Sequence, residues 1–211
     1  MIKILPSLAS ANQLRLEEEI QKVSFIGHLH FDVEDGNFVP NITFGMKTIK
    51  SACSVLKNVC CDAHLMVINP MEYLEGLADL GFLAAAFHWE AAAYPMRLIN
   101  CIQNLGMKAG IALNPRTPAS EILDYLDQAD YILLMSSEPD GAGEVFQEKV
   151  LDKITLLRKT NPSIDIIVDG GVTENNFQWV VQRGASGVVL GRAIFHAGDP
   201  EYLINRLTGK E

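Results

Sequence analysis

His28-Leu29-His30-Phe31-Asp32-Val33-Glu34-Asp35-Gly36 reads as a buried strand that ends in chemistry. Successive side chains of an extended chain point to opposite faces. His30, Asp32 and Glu34 therefore share one face, with Phe31 and Val33 on the other. Two further stretches end the same way. Cys61-Asp62-Ala63-His64-Leu65-Met66 puts Asp62, His64 and Met66 on one face, and Ile166-Ile167-Val168-Asp169-Gly170-Gly171 turns polar at its last strand residue.

Working outward from these, short apolar runs alternate with amphipathic stretches from end to end. The runs lie near 2–5, 28–33, 60–66, 83–88, 108–113, 131–135, 165–169 and 187–190. The intervening stretches have helical periodicity: Leu16, Ile20 and Val23 share a face, as do Val150, Ile154 and Leu157. Asn69 before Pro70 and Thr117 before Pro118 read as helix caps followed by a first-turn proline, and Thr173 reads as the cap of a helix from Glu174. Gly27, Gly81, Gly106 and Gly184 close helices ahead of the next strand.

Strict β/α alternation implies a parallel sheet. No Gly-x-Gly-x-x-Gly follows the first strand, which disfavours an open dinucleotide-binding sheet. The expected fold class is α/β, a single (β/α)8 (TIM) barrel forming one domain over 1–211, with no linker or composition break.

Composition narrows the function. The chain has 211 residues and a formal net charge of −9, from 17 basic against 26 acidic residues, with no basic run. Nucleic acid and anionic membranes are not expected partners. A phosphate-bearing substrate would need local donors to overcome the overall field. Met1-Ile2-Lys3-Ile4-Leu5-Pro6-Ser7 is too short for a secretory apolar region, and no stretch has transmembrane length. Cys53, Cys60, Cys61 and Cys101 lack metal-ligand spacing and read as free, mostly buried thiols. A cytoplasmic protein is expected.

In a barrel, chemistry gathers at the C-terminal ends of the strands. His30, Asp32, His64 and Asp169 all sit there. A lone strand histidine is commonly a hydrogen-bonded core residue. Four such groups at matched heights would each cost several kcal/mol if buried unpaired, so a metal or catalytic site is the better reading. Mixed nitrogen and oxygen ligation suits Zn²⁺ first, with Mn²⁺, Fe²⁺ or Co²⁺ as alternatives.

At these residues the chain resembles the ribulose-phosphate 3-epimerase family. The matching motifs are Leu5-Pro6-Ser7, His30 through Asn41 (HFDVEDGNFVPN), Asp62-Ala63-His64-Leu65-Met66-Val67, Phe87-His88-Trp89-Glu90-Ala91, Leu113-Asn114-Pro115-Arg116-Thr117-Pro118, Met135-Ser136 and Val168-Asp169-Gly170-Gly171-Val172. They run in order along nearly the whole chain. The resemblance implies a homo-oligomeric (β/α)8 barrel of the ribulose-phosphate-binding type, dimer or hexamer, that inverts C3 of D-ribulose 5-phosphate to give D-xylulose 5-phosphate. It implies that His30, Asp32, His64 and Asp169 hold the metal, that Asp32 and Asp169 exchange acid and base roles, and that Ser7 lies near the sugar phosphate.

That chemistry suits these residues. Removing the C3 proton of a 2-ketose leaves a cis-enediolate, whose charge a divalent cation stabilises. Inversion then needs one acid and one base on opposite faces of a planar intermediate. His64, Met66 and Met135 are expected against the substrate, the two methionines as an apolar lining that limits solvent access. The phosphate is expected at the loops after strands seven and eight, on Gly170 and Gly171 and on Gly191 and Arg192, and the resemblance adds Gly141, Ala142 and Gly143 from the loop after strand six.

Three departures from the family pattern stand out. Glu34 replaces a methionine on the face of His30 and Asp32, where it adds a ligand, raises neighbouring pKa values, repels an anionic substrate, or turns aside to a cation. The family's Asn-Pro-Gly-Phe-Gly-Gly-Gln loop reads Glu138-Pro139-Asp140-Gly141-Ala142-Gly143-Glu144, which adds negative charge near the expected phosphate. Arg192 replaces a small residue and offers a bidentate phosphate donor, with Arg116 as a second basic group for the mouth. These changes leave open an epimerase for another ketose phosphate, such as a hexulose 6-phosphate, and a non-catalytic sugar-phosphate-binding barrel. A metal-free aldolase, isomerase or decarboxylase is disfavoured because no lysine stands at a strand tip.

Overall fold

The computed structural model describes residues 2–139 and 145–209. Eight strands form one sheet: β1 (Lys3–Pro6), β2 (His28–Glu34), β3 (Cys60–Met66), β4 (Ala84–His88), β5 (Lys108–Leu113), β6 (Tyr131–Met135), β7 (Asp165–Asp169) and β8 (Gly187–Leu190). Every neighbouring pair from β2 round to β8 and on to β1 is parallel. The barrel closes between β1 and β2 through an isolated parallel bridge, Ser7 to His30.

The outer layer carries α1 (Leu16–Val23), α2 (Met46–Val55), α3 (Met71–Asp79), α4 (Pro95–Asn104), α5 (Val150–Thr160), α6 (Glu174–Gln182), the one-turn α7 (Arg192–Phe195) and α8 (Pro200–Thr208). Between β5 and β6 the connection is a 3₁₀ segment, Ala119–Tyr125. Pro118 is extended there and the Thr117 hydroxyl donates to Glu90, so Thr117 does not cap an α-helix as its sequence suggests. Asn69 likewise spends its side-chain amide on Glu72 (2.7 Å), and α3 starts one residue after Pro70. Thr173 caps α6 as expected, with Asn176 completing the reciprocal pair of bonds. Gly27, Gly81, Gly106 and Gly184 all have positive φ, the conformation that releases the chain from a helix into the next strand.

Strand parity sorts the core. Outward side chains such as Leu29, Phe31, Val33, Cys61 and Leu65 join the apolar layer beneath the helices. Inward, Leu5, Ala86, Ala112, Tyr131, Leu133, Met135, Ile167 and Val189 form a second apolar cluster. It lies mainly on the side of the barrel made by β5 to β8 and β1, with Ala86 of β4 joining it and Asp169 at the end of β7 belonging to the polar side. The opposite side, on β2 to β4, is filled by buried His30, Asp32, Asp62, His64 and His88. Small inward residues make room for rings: a Cβ on Gly110 would collide with the Tyr131 ring. The thiols are less buried than expected. Cys61 is buried, but Cys60 begins β3 and is exposed, while Cys53 and Cys101 are intermediate. Among the described residues no helix is long and apolar enough to cross a membrane.

Candidate active site

β2, β3 and β7 deliver the four expected ligands to one point. His30, Asp32, His64 and Asp169 are all buried, and one ligand atom from each lies within 4.8 Å of the others. His64 Nδ1 is 3.0 Å from Asp32 Oδ1 and 3.2 Å from Asp169 Oδ2. His30 Nε2 is 3.3 Å from Asp32 Oδ1 and 3.9 Å from Asp169 Oδ2.

The outer partners decide which atoms face inward. Asp62 Oδ2 lies 2.6 Å from His30 Nδ1 and its Oδ1 lies 2.6 Å from His28 Nε2. Held through Nδ1, His30 presents Nε2 to the cluster, where that buried atom has no hydrogen-bond partner. A buried imidazole nitrogen left bare opposite two carboxylates fits a divalent cation, since an unmade bond there would otherwise cost free energy. The donor set, two imidazoles and two carboxylates, suits the same ion. Asp32 is also tied down: Oδ2 accepts from the Ser7 hydroxyl and its carbonyl accepts from the Thr43 hydroxyl. Asp32 Oδ1 is thereby left for the two imidazoles.

Charge distribution follows the geometry. Burial opposes ionisation of Asp32, but His30 and His64 hold its carboxyl far below the usual range. Burial opposes charge on His30, yet Asp62 and Asp32 hold its pKa well above the ordinary imidazole value. His64 is buried too, but Asp169 and Asp32 raise it to about 9. Burial alone would raise Asp62; His30 and His28 bring it down to about 2.

A stability prediction follows for the metal-free protein. His64 is faced by Asp32 and Asp169, by the His30 ring with centroids 5.8 Å apart, and by His88. Its folded pKa exceeds the unfolded 6.5, so its contribution is complete below pH 6.5 and is lost as pH rises through about 9. The unfolding free energy from urea titration should therefore fall between about pH 6 and about pH 10, by on the order of 2 kcal/mol, with the midpoint falling in step. A midpoint that rises across that range would show that His64 is not held as a cation.

Above the cluster opens a pocket whose wall includes Ser7, Asp32, Met66, Met135 and Asp169. Met66 and Met135 are buried and line this pocket. Gly170, Gly171, Gly191 and Arg192 form the far rim. Gly170 has φ +94°, and a Cβ there would strike Ser137, so the β7 loop needs glycine for close approach as well as for its turn. A Cβ on Gly191 would strike Ser10. Gly141, Ala142 and Gly143, with Asp140 and Glu144, lie outside the described residues.

Glu34 lines the pocket but is not one of the four clustered ligands. Its backbone N–H donates to the Thr43 hydroxyl at 3.0 Å. Arg116 pairs with Glu138 at 3.1 Å instead of lining the mouth. His64, expected against substrate, is fully buried and does not reach the pocket wall.

Sequence reasoning assigned no role to Asp62, His88 or Glu90. His88 Nε2 lies 2.9 Å from His64 Nε2, and His88 Nδ1 lies 3.1 Å from Glu90 Oε2. Asp62 and His88 have the inward parity of their strands, the same signal that singled out His30 and His64.

A model of the Ribulose-phosphate 3 epimerase family matches residues 3–195. The chain belongs to the ribulose-phosphate 3-epimerase family. It is 37% identical over 209 residues to the ribulose-phosphate 3-epimerase of Schizosaccharomyces pombe, covering 97% of this chain and 92% of that protein. The Aquifex aeolicus enzyme of the same name is 38% identical, with 97% and 94% covered. The cytoplasmic isoform from Oryza sativa is 36% identical, with 97% and 92% covered. Among solved structures, KGPDC from Streptococcus mutans superposes with a TM-score of 0.77 at 14% identity, over 99% of this chain and 96% of that one. Mycobacterium tuberculosis tryptophan synthase gives 0.75 at 12% identity, over 99% and 91%. At such identities these two establish the barrel only. The sheet is a parallel eight-stranded barrel, and its His30, Asp32, His64 and Asp169 cluster could hold a metal ion.

Proposed function

We propose that this chain inverts C3 of D-ribulose 5-phosphate to give D-xylulose 5-phosphate, with Asp32 and Asp169 as the acid/base pair. The observation that carries this reading is the convergence of four buried ligand atoms from β2, β3 and β7 beneath one pocket. His30 Nε2, His64 Nδ1 and the facing oxygens of Asp32 and Asp169 would hold the cation, with Zn²⁺ as the ion we favour. Bound there, the ion would act as a Lewis acid toward the two oxygens of an enediolate.

The protein's own groups do the rest. Asp32 on β2 and Asp169 on β7 approach the pocket from different strands, which allows one to take the C3 proton while the other returns a proton on the opposite face. Ser7 orients Asp32 through Oδ2 and so keeps its other oxygen aimed at the cluster. Met66 and Met135 exclude water from the reacting carbons. The Gly170-Gly171 and Gly191-Arg192 loops offer backbone and guanidinium donors to the phosphate at the far rim.

We further infer a cytoplasmic homo-oligomer, dimer or hexamer. Four thiols outside any disulfide support a reducing compartment. Exposed Ile42 and Ile68, both tied to Asp35 near the mouth, support an apolar contact between copies.

Steady-state assay on D-ribulose 5-phosphate tests the reaction. Glu34 places a third carboxylate in the pocket with Asp32 and Asp169, and the substrate is anionic. Glu34→Met is therefore expected to lower KM by about 10-fold, equivalent to removing about 1.4 kcal/mol of repulsion. A variant with raised KM would show that Glu34 helps to bind the substrate. No turnover by the unaltered chain, together with turnover on a hexulose 6-phosphate, would reassign the substrate.

A further inference from the structure

We infer that Glu90 and His88 act as positioning residues that fix the tautomer of His64, so that Nδ1 faces the metal cluster as a bare lone pair. The inference rests on the metal reading above and extends it to residues that touch neither metal nor substrate.

The direction of the relay is set at its outer end. Glu90 Oε1 accepts from the backbone N–H of Asn114 at 2.9 Å and from the Thr117 hydroxyl. A backbone N–H can only donate, so that oxygen must remain an acceptor. Against its burial, the bonds from His88, Thr117 and Asn114 bring the Glu90 carboxyl down to about 2 and keep it ionised, so Oε2, 3.1 Å from His88 Nδ1, accepts the proton on that nitrogen. With its proton on Nδ1, His88 offers a lone pair at Nε2. Across 2.9 Å stands His64 Nε2, which must therefore carry the proton of that bond. His64 Nδ1, the atom 3.0 Å from Asp32 and 3.2 Å from Asp169, is left to bind a cation.

Packing keeps this order from reversing. His64 and His88 are both fully buried, and their rings lie 23° from coplanar with centroids 4.9 Å apart. Phe38 covers the His88 ring at 4.7 Å. Neither imidazole can turn over without displacing neighbours in a packed interior. The relay is also independent of the one at His30. There Asp62 accepts directly from Nδ1 and turns Nε2 inward, whereas at His64 the ligand atom is Nδ1 and the outer partner reaches it through a second imidazole.

Glu90→Gln isolates the claim, because it changes one atom and no volume. Its amide oxygen must face the Asn114 N–H, so its NH₂ faces His88 Nδ1. His88 then accepts at Nδ1 and carries its proton on Nε2. His64 must accept at Nε2 and carries its proton on Nδ1, aimed at the cluster. Every bond of the relay survives with its polarity reversed, and the ligand lone pair is gone.

Zn²⁺ affinity is measured by competition with a chromogenic chelator, and the His64 tautomer is read from long-range ¹⁵N–¹H spectra of the loaded protein. Glu90→Gln is expected to weaken Zn²⁺ binding by about 10- to 100-fold. Thr117→Val removes a bond to the same carboxylate without reversing the relay, and is expected to stay within about 3-fold of the parent, because the Asn114 N–H still holds that oxygen as an acceptor. Unaltered protein should show His64 protonated on Nε2. Equal Zn²⁺ affinity in Glu90→Gln and the parent overturns the inference, as does a parent spectrum with the proton on Nδ1. Equal weakening by both variants also overturns it, since that would indicate a merely structural carboxylate. Failure of the parent to bind Zn²⁺ at all would instead remove the metal reading, and this inference with it.

Discussion

Asp169→Asn is expected to lower kcat for epimerisation by about 10²- to 10⁴-fold, the range for loss of a positioned acid or base. Asparagine keeps the volume and one oxygen for the cluster but cannot carry a proton between substrate and solvent. The exchange pattern is more telling than the rate. If Asp32 and Asp169 work on opposite faces, a chain with only Asp32 should still exchange the C3 hydrogen of one epimer with deuterium oxide. The other epimer should not exchange, and the two should not interconvert. Asp32→Asn should give the complementary pattern. Mass or proton spectra of each ketose phosphate after incubation would show this. Exchange in both epimers by either variant would mean that one residue, or a different group, serves both faces.

Removal of the cation is expected to have an effect at least as large. A Lewis acid that supplies several kcal/mol to an enediolate is worth at least about 10³-fold in rate. Exhaustive chelation should thus leave activity near background, and one equivalent of a divalent ion per chain should restore it. The same ion should stabilise the fold. At a concentration about 1,000 times its Kd, the gain is about 4 kcal/mol. That gain is net of the His64 proton, which stabilises the metal-free fold between Asp32 and Asp169 and which the ion displaces. Full activity in protein shown by elemental analysis to be metal-free would defeat the mechanism while leaving the fold untouched.

The fold was legible because barrel strands declare themselves twice, as apolar runs and as regular spacing. All eight expected runs match observed strands to within a residue or so at each end. Caps were less legible. Asn69 and Thr117 have the right chemistry to cap a helix, but each has a stronger partner, Glu72 and Glu90, which no local rule anticipates. The four clustered residues were readable from parity and position alone. Their supports were not. Asp62 shares the parity of His64, yet its purpose appears only when β2 is laid beside β3 and His28 and His30 both reach it. Glu90 lies beyond its strand, where parity no longer applies, and it joins the site through the backbone of the next loop.

The barrel interior is divided lengthwise, with most ionisable groups on β2 to β4, joined by Asp169 at the end of β7, and a hydrocarbon cluster mainly on β5 to β8 and β1. The two halves therefore tolerate change very differently. Aliphatic exchanges at Leu133, Ile167 or Val189 can trade shape against shape, which leaves room for drift between lineages or for an engineer seeking heat resistance. On the imidazole side a single alteration redirects protons through several residues at once, so that half can move only by coordinated substitutions.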